Sequence, residues 1–138
     1  MNVILDTNIF LRLSRGDEEC AKMEAKIIRD CDIVFINHDL IFEYTTVLER
    51  FGLKYQIIEA NFARYLSRNK FRLSKKTKNL INDIITHEKD RHLIECAHNN
   101  NCSIITDEKK YLLNIKEIIK SALKIHILSI EEYMNIKS

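Results

Sequence analysis

The chain has no proline, only two glycines, and no pair of cysteines in a C-x-x-C spacing. No stretch rich in proline, glycine or serine interrupts it, and no repeat or low-complexity segment is visible, so it reads as one domain over residues 1–138. A domain of that size buries roughly 68% of the surface its unfolded chain exposes. The scarcity of proline and glycine, with abundant Ile, Lys and Asn, is the bias of an AT-rich genome and carries no functional information. The four cysteines, Cys20, Cys31, Cys96 and Cys102, match neither a zinc site nor a disulfide framework and read as small hydrophobes in a reducing compartment. A net charge of only +2 excludes a global basic field, so any nucleic acid must be held by local contacts. No apolar run approaches the ~20 residues of a membrane span. The opening run, Val3 to Leu5, is too short for a signal peptide and is closed at once by an acid. The expectation is a cytoplasmic protein with no membrane partner.

What is present is an alternation of short apolar runs and helical patterns. Val3-Ile4-Leu5 reads as a strand buried on both faces, ended abruptly by Asp6. Thr7 and Asn8 supply helix-capping chemistry before Ile9, Phe10 and Leu13. Gly16-Asp17 forms a turn, Ala21 to about Cys31 a helix, and Ile33 to Ile36 a second buried strand. Leu40, Ile41, Tyr44, Val47, Leu48 and Phe51 recur at helical spacing, with Gly52 as the stop. The pattern then predicts a helix from Tyr55 to Leu66, an extended piece at Phe71 to Ser74, and a helix opening on Lys75, Lys76 and Lys78 and running through Ile85. A further helix covers Lys89 to His98. Asn99-Asn100-Asn101 makes a turn, Ser103 to Thr106 a strand, and Lys124 to Leu128 the last strand. Ser129 and Glu132 form a capping box for a terminal helix. Strands alternating with helices point to a mainly parallel sheet in a three-layer α/β/α sandwich.

The functional candidates are acids. In an open parallel sheet, ligands sit outside the carboxyl ends of the strands. Asp6 ends the first strand there, and Asp107 ends the Ser103 strand, followed by Glu108. On the helix after Lys89, at about 100° per residue, Leu93, Ile94 and Ala97 fall within roughly 60° of Asp90, which therefore heads the buried stripe. By the same test Glu43 lies on the edge of the Tyr44 stripe, beside Leu40 and Val47, whereas Glu49 points to solvent. Carboxylates brought together repel and raise each other's pKa unless a divalent cation neutralises them. Hard oxygen ligands suit Mg²⁺ or Mn²⁺, which activate water for phosphodiester chemistry. The histidines offer no rival site: His87 and His92, and His92 and His98, are spaced wrongly for one helix face. The Lys75, Lys76 and Lys78 patch reads as a solvated helix start.

Asp6-Thr7-Asn8 after an opening strand, a mid-chain helical Glu43, Asp90 with Ala97 downstream, and a strand ending Thr106-Asp107-Glu108-Lys109 together resemble the PIN domain over nearly the whole chain. That family comprises metal-dependent ribonucleases, many of the compact ones VapC-type toxins of toxin–antitoxin pairs. The resemblance implies an endoribonuclease with Mg²⁺ or Mn²⁺, an RNA substrate, an antitoxin protein as a partner, and a homodimer. It carries over Asp6, Glu43 and Asp90 as metal-binding and catalytic acids, with Asp107 or Glu108 as the fourth, and Thr7, Asn8 and Thr106 as supporting polar residues. The family's usual T-x-D has one residue between hydroxyl and acid. A gapless match therefore puts Glu108 at the acid position, while Asp107 is shorter and nearer the strand end and is preferred on that ground. The unpaired apolar residues Ile57, Ile58, Phe62, Tyr65 and Phe71 give the expected homodimer its physical support. The alternative function is a non-catalytic PIN-like module or a subunit of an RNA-processing assembly. A phosphatase of the haloacid dehalogenase type needs a second acid two residues after the first, where this chain has Asn8.

Overall fold

Val3, Ile4 and Leu5 are each fully buried. Since successive strand residues point to opposite faces, their strand is covered on both sides. In the computed structural model, which describes residues 1–36, 38–52, 64–66, 75–85, 88–108 and 112–137, that strand is the centre of the sheet. The strands are β1 (Asn2–Leu5), β2 (Ile33–Ile36), β3 (Arg64–Leu66), β4 (Ser103–Ile105) and β5 (Ile127–Leu128). They lie in the order β3-β2-β1-β4-β5, every neighbouring pair parallel. Val3 stands opposite Val34 on one side and Ser103 on the other, and Leu5 opposite Ile105. The chain winds outward from β1 through β2 to β3, and in the other direction from β4 to β5. The strand order thus reverses between β1 and β4, where a crevice opens at the carboxyl ends of both strands.

Seven helices are present among the described residues: α1 (Thr7–Ser14), α2 (Glu18–Asp30), α3 (His38–Arg50), α4 (Lys75–Ile84), α5 (Glu88–Asn100), α6 (Lys116–Leu123) and α7 (Ile130–Met134). With the parallel sheet they make an α/β fold with the layers of an α/β/α sandwich. α3 packs on α1 and α5, α5 also on α4, β1 and β4, and α2 on α7. Local chemistry sets the helix ends. Asp17 accepts from the Cys20 amide at 2.9 Å to open α2, and Cys31 closes it with a left-handed φ of 54°. The capping box of α7 is complete: Ser129 Oγ accepts from the Glu132 amide at 3.0 Å, and Glu132 Oε1 accepts from the Ser129 amide at 3.2 Å. At the amino ends of the strands, buried Asp32 accepts from the Tyr133 hydroxyl at 2.6 Å and from the Met1 amine at 2.9 Å, tying β2 to α7. Buried Lys26 reaches Asp30 at 2.7 Å and lies over the Tyr133 ring. Among the described residues no helix is long and apolar enough to cross a membrane.

Several expectations change. The helix expected from Tyr55 to Leu66 ends instead in strand β3 at residues 64–66. Strand pairing with β2 supplies the ladder bonds that helical spacing alone could not weigh. The rest of that stretch, the Phe71 to Ser74 piece, and the apolar residues behind the homodimer expectation, Tyr65 apart, lie outside the described residues. The last strand shrinks to Ile127–Leu128, because Lys124, with φ 60°, closes α6. The sequence pattern does not predict α6, although Ile115, Ile119 and Leu123 repeat at four-residue spacing, and the last two are buried. Phe51 is half exposed rather than central to the α3 stripe, since α3 ends at Arg50 and Phe51 turns under the Arg15 guanidinium, 4.5 Å from the ring centre.

Candidate functional site

Asp6 is the first residue past β1, and its side chain does two jobs. As the N-cap of α1, it accepts from the Thr7 amide through Oδ1 at 2.8 Å. Through Oδ2 it accepts from the Thr106 hydroxyl at 2.7 Å. Thr106 is itself fully buried one residue past β4, and its Oγ1 accepts in turn from the Glu108 amide at 3.1 Å. One hydroxyl therefore joins the ends of the two strands that flank the crevice.

Burial is the largest influence on the Asp6 carboxyl and raises its pKa to about 7. The hydrogen bonds from Thr106 and Thr7 oppose that rise, while the charges of Glu108 and Asp90 add to it. Glu108 and Asp90 line the same crevice as Asp6.

The crevice is an open cleft of ≈ 660 Å³ whose lining, among the described residues, includes Asp6, Glu43, Glu88, Asp90 and Glu108 with a single cation, Arg50. Thr7, Asn8 and Phe51 complete much of its wall. The four acids carried forward from the sequence arrive on different pieces of structure. Glu43 projects from α3 on the same face as Val47 and Arg50, following the i, i+4, i+7 pattern. Asp90 stands in the first turn of α5, ahead of buried Leu93, Ile94 and Ala97. Glu49, on the other side of α3, is exposed, as its helical angle requires. α3 is held against β1 by Tyr44, whose hydroxyl donates to the Leu5 carbonyl and whose ring packs on Phe10 with centroids 4.1 Å apart. Tyr44 reads in the sequence as a plain core residue, but its contact lies next to Asp6 and sets where Glu43 enters the cleft.

Asp107, preferred as the fourth acid from strand direction, turns away. Arg12 Nη1 donates to Asp107 Oδ2 at 3.1 Å, and Arg12 Nη2 donates to both carboxylate oxygens of Asp17 at 3.1 and 3.2 Å. Along an extended chain neighbouring side chains take opposite sides. With Asp107 drawn to Arg12, Glu108 enters the cleft, at the position that the gapless T-x-D match assigns. Arg12 has no motif to announce it. Only its place on α1, between the start of α2 and the end of β4, makes it the clasp of this loop.

Neither known family models nor curated proteins match the chain.

The donor chemistry suits a hard divalent cation, because the acids among the described residues of the cleft wall offer carboxylate oxygens, which such ions prefer. Asp6, Glu43, Asp90 and Glu108 would be its ligands. They line one cleft without forming a closed shell: among the described residues, no three His, Cys, Asp or Glu side chains are gathered tightly enough to hold an ion as they stand. No soft ligand is among the described residues of the cleft wall. Cys20, Cys96 and Cys102 are buried elsewhere, and burial pushes their thiols up to about 12.

Proposed function

We propose that this chain is a PIN-like, metal-dependent endoribonuclease, the toxin component of a toxin–antitoxin pair. The observation that carries the reading is the meeting of Asp6, Glu43, Asp90 and Glu108, from four separate elements, in one cleft at the reversal of strand order. Asp6, Glu43, Asp90 and Glu108 would hold a divalent cation, Mg²⁺ or Mn²⁺, which would supply positive charge to the phosphodiester and acidify a bound water. The protein's part is positional. Thr106 and the Thr7 amide fix both Asp6 oxygens, so this carboxylate enters the cleft with its rotamer set. Glu43 and Asp90 approach from facing helices, and Arg50 offers a positive charge to a backbone phosphate of the RNA.

The test is cleavage of a single-stranded RNA by the purified chain with Mg²⁺ or Mn²⁺, against the same mixture with a chelator. Cleavage that needs the metal and disappears in Asp6→Asn and Asp90→Asn, with the far-UV spectrum unchanged, is the expected result. RNA left intact by the wild-type chain at millimolar metal overturns the reading. The toxin assignment is checked separately. Induction should arrest growth, and the product of a small neighbouring frame encoding a DNA-binding domain should relieve it.

A second reading, a non-catalytic PIN-like binding module, is favoured by one observation: the cleft's acids are not gathered into a closed coordination shell among the described residues. RNA binding without cleavage, equal in wild type and Asp6→Asn, would be its signature.

A further inference from the structure

Phe42 is 75% exposed, more than any other large hydrophobic side chain among the described residues. It stands on α3 one residue before Glu43, and with Asp39, Thr46 and His92 it lines a groove of ≈ 240 Å³. Glu43 and Val47 line both this groove and the acidic cleft, so the two adjoin at α3. His92 brings polar chemistry from α5. Its Nδ1 lies 3.9 Å from Asp39 and makes no hydrogen bond among the described residues. An exposed aromatic ring one step from the acidic cleft, with hydrogen-bonding groups beside it, fits a repeating polymer of flat rings and phosphates. Every nucleobase has a π face to stack, and its edge carries donors and acceptors.

We infer that the groove between Phe42 and His92 is a subsite for one unpaired nucleobase, stacked on Phe42, of the RNA strand whose phosphodiester lies in the acidic cleft. The inference rests on the ribonuclease reading above. It makes Phe42 a residue that selects unpaired RNA, because a base held in a duplex cannot present its face to the ring. It also gives the strand a direction across α3, from the Phe42 groove past Glu43 and Val47 to Arg50 and Phe51.

The experiment measures anisotropy of a fluorescein-labelled single-stranded oligoribonucleotide in Mg²⁺ with the full chain carrying Asp6→Asn, so that the RNA survives. Phe42→Ala on that background should weaken binding roughly 5- to 100-fold, the loss of one stacked base, and Phe42→Trp should restore it. Replacing single nucleotides by abasic residues should reveal one position that costs affinity with Phe42 present and nothing after Phe42→Ala. In the cleaving chain, Phe42→Ala should raise KM more than it lowers kcat. Unchanged melting of Phe42→Ala, expected for so exposed a side chain, separates these effects from unfolding.

Affinity unaltered by Phe42→Ala, or a penalty that no abasic position abolishes, overturns the subsite while cleavage itself stands. Unchanged RNA affinity together with self-association that Phe42→Ala abolishes in light scattering assigns the groove to a second copy instead. A wild-type chain that neither binds nor cuts RNA removes the subsite and the ribonuclease reading together.

Discussion

Thr106 donates its hydroxyl to Asp6 at 2.7 Å across a separation of 100 residues, joining the carboxyl ends of β1 and β4. The same oxygen accepts from the Glu108 amide, so one buried side chain is bonded to two residues whose acids line the cleft. Thr106→Val keeps the shape and removes both bonds. The expected cost is about 1–3 kcal/mol in urea denaturation, the range for a buried hydrogen bond to a charged group. Asp6 should also titrate at higher pH, because a donor that favours its charged form is lost. Thr106→Ser should restore the titration seen by carboxyl NMR, and a Val variant titrating like wild type would show that the hydroxyl does not govern Asp6.

Asp6 also predicts how stability follows pH in the absence of metal. Its folded pKa, about 7, lies above the ordinary 3.8, so between those values the folded chain holds a proton that the unfolded chain has released. Stability from this group is complete below about pH 4 and is lost as pH rises through about 7. The swing is on the order of a few kcal/mol. Asp6→Asn should flatten the profile and, at pH 8, melt no lower than wild type. A variant that melts clearly lower at pH 8 would mean that the carboxylate is structural.

The loop after β4 predicts an asymmetry between adjacent acids. Glu108→Gln should weaken Mn²⁺ binding in calorimetry about tenfold or more and lower cleavage with it, because it removes charge from the cleft. Asp107→Asn should leave Mn²⁺ affinity within about twofold and instead loosen the Arg12 clasp, a partly exposed ion pair whose loss costs ~1 kcal/mol or less. The opposite order would show that Asp107 swings into the cleft when metal binds.

On α3 the contrast is between Glu43 and Glu49. Glu43→Gln should reduce kcat at least tenfold, since its carboxylate lines the cleft. Glu49→Gln, on the exposed side, should leave both kcat and melting temperature unchanged. Comparable losses from the two would place the reacting phosphate elsewhere.

The chain by itself determined what local periodicity can express. Three consecutive apolar residues closed by Asp6 specify a doubly covered strand, because only a central strand buries both faces. The angle between Glu43 and Glu49 follows from the helical repeat, and the S-x-x-E of α7 follows from the geometry of four residues. Tertiary structure decided what depends on partners far along the chain. Residues 64–66 became a strand because β2 offered them an edge. Asp107 and Glu108 were divided by Arg12, which sits 95 residues from Asp107 and carries no local sign of its role. Tyr44 became the bolt beside Asp6 because a carbonyl of β1 lay within its reach. A periodicity records which face a residue takes, but the sides of a strand end are settled by whichever charge waits there.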